Sequence, residues 1–492
     1  MNILRKSCVL IICAVLMFSF TSCKTEPDEP PKYDQYPDTI SGVFDEQNIV
    51  LTFAALSDTH IGALESDSAK YDYMVRAINQ SQEYAANKKL DAVCIAGDLV
   101  NATNFPAAVV TGGEWPENKA EASAQQSTLE RENFLRCITD TLDSTAKVFY
   151  CLGNHDSANG SHAGKFIETF SGPDNKYYDW LYGGDLDTDA LKKGNRHMLI
   201  NGYNFLALEP DCDASGYEWL DKKLTEITTE NPAQTVFLFH HYRPANMTFA
   251  SSGDGDKLTA VLEKYPQVIT FGGHTHTPVD FDNSLMQSAS GFISVDCGSV
   301  SGLFSEYMVS ENQDRAINGD KTTYENTSQG LLVEVDKGGN VKISRYSYTL
   351  SAKVGSSFVI PAVKADGTRS LDYTAQRKGE ISAPVFTGGA DKITASAEGR
   401  KIVLTFPAAE GSAKIYRYEI TVKNTQSGDI SKVNYASSLF YEYAAQGDMP
   451  KEYTVTVKCD IPINSGTYEI KVTAVDSWGN KSVPLSYSLV IK

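Results

Sequence analysis

From Ile49 onward the chain alternates short apolar runs with amphipathic stretches, and no other feature limits its possible folds as strongly. The runs are rich in β-branched and aromatic residues, as buried strands are. They are Ile49–Leu56, Ala92–Ala96, Lys147–Leu152, Asn204–Leu208, Thr235–Phe239 and Gln267–Phe271. Between several of them apolar residues recur at helical spacing, as at Met74, Ala77 and Ile78. This pattern predicts βαβ units and a largely parallel sheet that is buried on both faces.

The pattern changes towards the C-terminus. Further strands at Phe292–Asp296, Gly330–Val335 and Val341–Tyr348 complete a first unit, which we expect to span residues 46–361. Residues 362–384 are polar and rich in turn formers, which predicts a linker. From residue 385 to residue 492 short alternating strands follow without a helical stretch, and this predicts an all-β sandwich.

One strand of this sandwich resembles a known module. The segment from Thr467 to Ala474, with the turn Gly479-Asn480-Lys481-Ser482 after it, resembles the penultimate strand of fibronectin type III and immunoglobulin-like domains. The resemblance implies that Tyr468 occupies the tyrosine-corner position. It also implies a surface that could contact a glycan or a protein.

The N-terminal sequence predicts a localisation outside the cytoplasm. Arg5 and Lys6 precede an apolar run from Cys8 to Phe20, which is too short to span a bilayer comfortably. The following Cys23 makes the segment resemble a bacterial lipoprotein signal, which implies removal of residues 1–22 and lipidation of Cys23. An ordinary signal peptide or membrane anchor with an incidental cysteine is the alternative. Residues 23–45 are rich in proline and acidic residues, which predicts a tether to an extracytoplasmic, lipid-anchored domain.

Charge and cysteine usage exclude several classes of protein. Lys and Arg number 44 against 62 Asp and Glu, a net charge of −18, which argues against non-specific binding of nucleic acid. Of nine cysteines, six lie beyond Cys23, and their scattered spacing contains no CxxC pair. A zinc site built from thiolates is therefore not expected.

Histidines are concentrated at the ends of the predicted strands. Six of the eight histidines directly follow a strand: His60, His155, His240, His241, His274 and His276. In an open parallel sheet the carboxyl ends of the strands form the edge that binds ligands. A single histidine at such a position is usually structural, but this many at one edge indicate a site.

Carboxylates, an amide and glycines accompany these histidines. The segments are Asp58-Thr59-His60, Gly97-Asp98, Gly153-Asn154-His155-Asp156, His240-His241 and Gly272-Gly273-His274-Thr275-His276. Imidazole, carboxylate and amide donors without thiolate suit Zn, Mn or Fe better than Mg or Ca. The sequence therefore predicts a transition-metal site at the strand ends.

The order of these segments resembles the calcineurin-like metallophosphoesterases from about Ile49 to Tyr348. The resemblance implies an α/β sandwich fold with a dinuclear metal site. One divalent ion would be held by Asp58, His60, Asp98 and His276. The other would be held by Asp98, Asn154, His240 and His274. It further implies that His155 is a catalytic residue that does not bind metal; the alternative is that His155 only orients a ligand.

Three further residues near the motifs are candidates for supporting roles. We expect Asp156 and His241 to orient the ligands, whereas Arg243 either reaches the substrate phosphate or is a solvated loop residue. Asn101 stands where protein serine/threonine phosphatases carry a second acid, which argues against that branch. The polar insertion 101–128, with Trp115 and Pro116, is expected to be either a lid or a loop.

The resemblance implies hydrolysis of a small phosphoester by a hydroxide that bridges two divalent metals, with phosphodiesters slightly favoured over phosphomonoesters. One alternative is a nucleotide or phospholipid-headgroup pyrophosphatase that uses the same metals. Another is a binding lipoprotein whose metal site is vestigial. Because every implied ligand lies between Asp58 and His276, we expect the β-sandwich to be dispensable for catalysis.

Overall fold

The computed structural model describes residues 38–63, 68–101, 119–157, 162–171, 176–247, 255–303, 327–436, 451–459 and 463–492. The predicted signal peptide, Cys23 and most of the predicted tether lie outside these residues, as do Trp115 and Pro116. Within the described ranges no helix combines the length and the apolar character that a membrane span needs. The described cysteines are all free, and Cys94 and Cys151 are buried in strands.

The larger unit is an α/β domain built from two sheets. Its strands are β1 (Ile49–Leu56), β2 (Ala92–Ala96), β3 (Lys147–Cys151), β4 (Arg196–Ile200), β5 (Tyr203–Ala207), β6 (Val236–Phe239), β7 (Val268–Gly272), β8 (Leu285–Gln287), β9 (Ile293–Asp296), β10 (Gln329–Asp336), β11 (Val341–Ser347), β12 (Ala352–Lys353) and β13 (Phe358–Ile360). Its helices are α1 (Ser68–Tyr84), α2 (Lys119–Thr141), α3 (Ala163–Ser171), α4 (Tyr178–Tyr182), α5 (Thr188–Leu191), α6 (Ala214–Glu230) and α7 (Gly255–Leu262).

The sequence pattern predicts one largely parallel sheet, whereas the structure has two mixed sheets that share the parallel strands between them. One sheet has the order β12-β11-β10-β1-β2-β3, with β13 paired to β11, and β1, β2 and β3 run parallel. The other has the order β4-β5-β6-β7-β9-β8, with β5, β6, β7 and β9 parallel. The first sheet has antiparallel strands at one edge only, where β10, β11 and β12 lie, whereas the second sheet has an antiparallel strand at each edge. Both sheets are buried on two faces, which explains why their strands read as continuous apolar runs.

An aromatic core joins the two sheets. The ring of Phe53 on β1 contacts Phe205, Phe237, Phe239 and Phe271 of the other sheet at centroid distances of 5.1 to 6.4 Å. The outer face of the first sheet packs against α1, α2 and α3, and the outer face of the second against α6 and α7. The layers are therefore helix, sheet, sheet, helix, and the parallel strands of both sheets end near one another.

The smaller unit is a β-sandwich, as the alternation of its sequence predicts. Its strands are β14 (Val385–Phe386), β15 (Thr394–Glu398), β16 (Lys401–Pro407), β17 (Ala409–Glu410), β18 (Ile415–Asn424), β19 (Ile430–Ala436), β20 (Glu452–Lys458), β21 (Gly466–Asp476) and β22 (Leu485–Ile491). One sheet has the order β15-β16-β20, the other the order β19-β18-β21-β22, and β14 pairs with β17. The hydroxyl of Tyr468 bonds to the backbone N and O of Asn464 at 3.0 and 3.2 Å.

Segments on both sides of the predicted range 46–361 contact the larger unit. Part of the predicted linker 362–384 is docked on the domain, because the buried Arg369 donates to the carbonyl oxygens of Pro266 and Gln267 at 2.9 and 3.1 Å. At the other end, the backbone N of Asp45 donates to Asp336 Oδ2 at 2.9 Å. Contacts of the larger unit therefore include Asp45 from the predicted tether 23–45 and Arg369 from the predicted linker.

Candidate metal centre

The predicted site residues meet where the parallel strands of the two sheets end. Asp58 and His60 follow β1, Asp98 follows β2, and Asn154 and His155 follow β3. His241 follows β6 of the second sheet, and His274 and His276 follow β7. The donor atoms form three overlapping groups, each within 4.8 Å: Asp58 with His60 and His276, His60 with Asp98 and His155, and Asp98 with His241 and His274.

The first group brings one carboxylate and two imidazoles together. Nε2 of His276 lies 3.0 Å from Asp58 Oδ1 and 3.1 Å from Nε2 of His60. The other nitrogen of His276, Nδ1, lies 2.7 Å from the Gly302 carbonyl oxygen, which can only accept a hydrogen bond. His276 therefore carries its hydrogen on Nδ1, and its Nε2 lone pair faces the group.

The third group is arranged in the same way around His241. Its Nδ1 donates to the Ala96 carbonyl oxygen at 2.8 Å. Its Nε2 lies 3.2 Å from Asp98 Oδ2 and 3.1 Å from Asn154 Oδ1. The imidazole of His274 stands edge-on to that of His241, with the ring centroids 5.1 Å apart.

Asp98 connects the two sides of the site. Its Oδ2 lies 3.8 Å from Nε2 of His60 as well as 3.2 Å from Nε2 of His241, while its Oδ1 accepts from the backbone N of His155 at 2.8 Å. A carboxylate in this position can offer oxygen to both groups of donors. This is the place that the resemblance assigns to a bridging ligand.

The structure places the neighbouring histidines His240 and His241 on different sides of the chain. Side chains alternate along a strand, so His241 lies on the same side as Phe237 and Phe239, towards the core between the sheets. His240 lies on the opposite side with Leu238, and its Nδ1 donates to the Tyr242 carbonyl oxygen at 2.7 Å. Among the described residues no donor group includes His240. His241, expected only to orient ligands, lies instead in a donor group with Asp98 and His274.

His155 lies at the open side of the site, with 37% of its side chain exposed. Its Nδ1 donates to the Asn101 carbonyl oxygen at 2.6 Å, so Nε2 faces inwards, 4.0 Å from Asp98 Oδ2. The ring stands edge-on to His60 at 4.6 Å. The role of Asn101 in orienting His155 could not be predicted from the sequence, because a backbone carbonyl leaves no signal in the residue type.

Asp156 holds two of the motif segments together. Its carboxylate, which is fully buried, accepts from the backbone N of Gly153, Leu99 and Val100 at 2.7 to 3.1 Å. Burial raises the pKa of Asp156 to about 8, with the nearby Asp98 carboxylate adding to the effect. Asp156 therefore fixes the backbone that follows Asp98 rather than facing the donors.

The position of Arg243 matches neither of the two alternatives expected for it. Its side chain is wholly buried, so it is neither a solvated loop residue nor placed to reach a substrate. Its Nη1 forms an ion pair with the equally buried Asp296 at 3.1 Å, and Nη2 donates to the Ser284 carbonyl oxygen at 3.4 Å. The sequence contained no signal for this pair, because the two residues lie on different strand ends.

Several residues of the site share a left-handed backbone conformation. Positive φ angles between 45° and 69° occur at Asp58, His60, Asp98, His274 and His276. For residues other than glycine this left-handed region is uncommon, and such strain concentrates at functional sites. The motif glycines permit close packing here: a Cβ on Gly273 would lie 2.3 Å from Asp58 Oδ2.

Burial and charge set the protonation of the donors. Burial lowers the pKa of His60 to about 3 and that of His274 to about 4, so both rings are neutral. Burial opposes a charge on His241 as well, but the Asp98 carboxylate outweighs it and raises the pKa of His241 to about 10. A positive charge at Nε2 of His241 would lie 3.2 Å from Asp98 Oδ2 and 3.1 Å from Asn154 Oδ1.

The donor set fits divalent transition metals. Nε2 lone pairs and carboxylate oxygens converge at distances that would be repulsive without a positive charge between them, and no thiolate is included among the described donors. Nitrogen and oxygen donors of this kind suit Zn, Mn and Fe. The hydrogen bonds from Nδ1 to carbonyl oxygens are those that orient metal-binding histidines.

Part of the chain matches a known protein family. Residues 51–278 match the family model described as calcineurin-like phosphoesterase. No curated protein matches the chain. A purple acid phosphatase from yellow lupin (Lupinus luteus) seeds aligns over 65% of this chain and 55% of its own, with 14% identity and a TM-score of 0.37. The chicken interferon gamma receptor alpha chain aligns over 31% of this chain and 66% of its own, with 14% identity and a TM-score of 0.16.

This chain thus spans little more than half the length of the lupin phosphatase, and neither structural likeness is close enough to bear on activity. The family match confirms the resemblance seen in the strand-end segments. Residues 51–278 therefore form a calcineurin-like phosphoesterase domain, an enzyme domain of the class that hydrolyses phosphoric esters.

Proposed function

We propose that this protein hydrolyses small phosphoric esters with two divalent metal ions, and that it slightly favours diesters. The observation that carries the proposal is the position of Asp98 between two groups of donors, with the half-exposed His155 beside it. Asp58, His60, His276 and Asp98 would hold one ion, and Asp98, Asn154, His241 and His274 the other. When bound, such a pair polarises phosphoryl oxygens and lowers the pKa of water.

The residues of the chain supply orientation and proton transfer. Because Nδ1 of His155 donates to the Asn101 carbonyl oxygen, Nε2 is the nitrogen available to a substrate. In the imidazolium form, Nε2 would donate its proton to the oxygen of the leaving group. The preference for diesters is supported by Asn101, which orients His155 through its backbone and offers no second acid.

Chelation and reconstitution test the proposal. Protein stripped of metal should lose hydrolysis of bis(p-nitrophenyl) phosphate and regain it with Mn²⁺, Fe²⁺ or Zn²⁺, at two ions per chain. Hydrolysis of p-nitrophenyl phosphate should be slower. A higher rate on the monoester would contradict the diester preference, and metal-independent or absent hydrolysis would favour a binding lipoprotein with a vestigial site.

The role of His155 needs a separate test. His155→Ala should lower kcat by about 10²–10⁴-fold, the range for a positioned acid–base group, while the metal content stays at the wild-type level. His162→Ala, at an exposed histidine, is the matched control and should not change kcat. If His155→Ala lost metal, His155 would be a ligand instead.

A pyrophosphatase acting on nucleotides or phospholipid headgroups is the second candidate. It is favoured by Lys70, whose Nζ donates to Asn101 Oδ1 at 3.3 Å and so lies near the residue that orients His155. An ammonium group there would attract a second phosphate. Lys70→Gln should raise KM for a dinucleotide pyrophosphate and leave KM for bis(p-nitrophenyl) phosphate unchanged; equal effects on both would argue against this candidate.

We also propose that lipidation at Cys23 holds the domain outside the cytoplasm on a bacterial membrane. The described domain begins at residue 38, so the 15 residues from Cys23 could span at most about 50 Å. Cys23→Ser should release the protein from membranes or leave an unprocessed precursor, without changing hydrolysis of a soluble ester. A processed Cys23→Ser protein that stayed with membranes would contradict the proposal.

The β-sandwich is proposed to be a fibronectin type III-like module with a protein partner. The two sheet orders and the bonds from Tyr468 to Asn464 support the first part. The second part is supported by Val483 and Val490, which are 85% and 64% exposed at one edge of the sandwich. A pull-down in which Val490→Lys loses a partner that the wild type retains would support a protein surface, whereas retention on a glycan array would favour a glycan.

A further inference from the structure

The two histidines on the loop after β7 are separated by Thr275, which connects the site to a buried network. Thr275 Oγ1 donates to Asp296 Oδ2 at 3.2 Å and accepts from Thr277 Oγ1 at 2.9 Å. The Asp296 carboxylate is wholly buried. The conformation of the loop that carries His274 and His276 therefore depends on where Asp296 is held.

Arg243 holds Asp296 from the other side. Its Nη1 lies 3.1 Å from the same carboxylate oxygen, its Nη2 donates to the Ser284 carbonyl oxygen at 3.4 Å, and its Nε points to Ser294 Oγ at 3.5 Å. A buried ion pair is stable only with good geometry, since both groups have lost their hydration. Arg243 thus links the metal-binding loop to the segment that ends at Ser284.

That segment forms the contact with the β-sandwich. Asp280, whose side chain is buried, accepts from Nζ of Lys414 in the sandwich at 2.5 Å. Asn283 Nδ2 donates to the Ser477 carbonyl oxygen. Met286 packs with Ala413 and Trp478 of the sandwich. Asp280 lies four residues after His276, so a short stretch of chain joins the metal site to the domain interface.

We infer that the β-sandwich positions the metal-binding loop, with Lys414 and Arg243 as positioning residues. Lys414 fixes Asp280 on one side of the stretch, and Arg243 fixes Asp296 and Ser284 on the other. His274 and His276 are thereby held in the orientation in which their rings face the donors. The inference rests on the proposed metal centre and extends the requirement for that centre to the second domain.

Lys414→Met in the full-length protein is the direct test, because it keeps the length of the side chain and removes the ammonium group. Loss of an orienting partner typically weakens metal binding by about 10–100-fold. We therefore expect a metal dissociation constant about tenfold higher, measured with Mn²⁺ by chelator competition. At saturating Mn²⁺ the KM for the ester should equal that of the wild type. Asp280→Asn should act in the same direction.

The matched control is Lys471→Met, which removes a lysine that pairs with Glu469 of the same strand on the surface of the sandwich. It should leave the dissociation constant unchanged. The double variant Asp280→Asn with Lys414→Met should be no weaker than the worse single variant, because both changes remove one interaction.

A Lys414→Met protein and an Asp280→Asn protein with wild-type metal affinity would overturn the inference, whatever their Tm, because a purely structural contact changes stability alone. A wild-type protein that binds no divalent metal would overturn the metal centre together with the inference. The two failures are therefore distinguishable. Metal binding without ester hydrolysis would overturn the proposed function only, and the affinity comparison would still decide the inference.

Discussion

Three imidazoles of the site donate their Nδ1 hydrogen to backbone carbonyl oxygens. The pairs are His155 with Asn101, His241 with Ala96 and His276 with Gly302. Each bond fixes both the tautomer and the direction of the ring, so that Nε2 faces the centre. At the scale of the residue, the site is thus preorganised by backbone atoms.

The pair His240 and His241 gives the sharpest prediction at this scale. His241→Ala should lose bound metal and lower kcat by at least about 100-fold, since its Nε2 lies against Asp98. His240→Ala is the matched control, because its ring lies on the other side of the strand; it should retain the wild-type metal content. Metal analysis and ester hydrolysis check both variants, and the reverse pattern would restore the assignment made from the sequence.

Glu209, which follows β5, should make stability depend on pH. Burial, assisted by Asp211, raises the pKa of Glu209 to about 7, against about 4.3 in an unfolded chain. The folded state binds this proton more tightly, so its stabilising effect is complete below about pH 4.3 and is lost as the pH rises through 7. Glu209→Gln should therefore raise Tm relative to the wild type at pH 8 but not at pH 4.

Thermal unfolding followed from pH 4 to pH 8 measures this effect. The control is Glu410→Gln, which removes an exposed carboxylate and should give the same difference in Tm at every pH. A difference in Tm between Glu209→Gln and the wild type that did not grow with pH would contradict the raised pKa of Glu209.

At the scale of the element, the site consists of strand ends that turn sharply. The left-handed backbone at several ligands directs their side chains to one point instead of continuing the alternation of the strand. Gly153 lets the turn after β3 approach the turn after β2, because a Cβ there would lie 2.2 Å from Asp98 Oδ1 and 2.4 Å from Asp98 N. No side chain fits this contact.

Gly153→Ala should accordingly displace Asp98 and weaken metal binding by about tenfold or more, comparable to the loss of an orienting partner. Chelator competition measures the change. Gly379→Ala is the control, because a Cβ at Gly379 meets nothing within 4 Å; its effect on stability should stay within about 0.5 kcal/mol. Unchanged metal affinity in Gly153→Ala would show that the turn can move without cost.

At the scale of the whole molecule, the segment 362–380 contacts the larger unit through several buried donors, and we predict that it is part of that unit rather than a linker. Arg369 donates to the carbonyl oxygens of Pro266, Pro361 and Gln267 and to Thr235 Oγ1. Tyr373 donates to the Val359 carbonyl oxygen at 2.6 Å. Removing these donors would leave buried acceptors without partners, at about 1–3 kcal/mol each.

Two truncations test this division. A protein that ends at Pro361 should unfold at a Tm several degrees below that of one that ends at Glu380, because only the longer one keeps Arg369 and Tyr373. The longer one should fold but bind metal more weakly than the full chain, since it lacks Lys414. Equal Tm values for the two truncations would show that the segment is a linker after all, and wild-type metal affinity in the longer one would show that the sandwich is dispensable.

The sequence by itself determined most strand positions and the motif segments that meet at the strand ends, because burial on two faces and the spacing of short motifs are local properties of the chain. Predicted strands such as Ile49–Leu56 and Ala92–Ala96 have the same bounds in the structure.

Only the tertiary structure decided what depends on distant partners. The division of the parallel strands into two sheets places His241 and Asp98, 143 residues apart, within 3.2 Å. Likewise, Arg243 is buried because Asp296 lies opposite it, and Arg369 because carbonyl oxygens about 100 residues earlier accept its hydrogens. Pairing across such separations is fixed by packing, which no local pattern records.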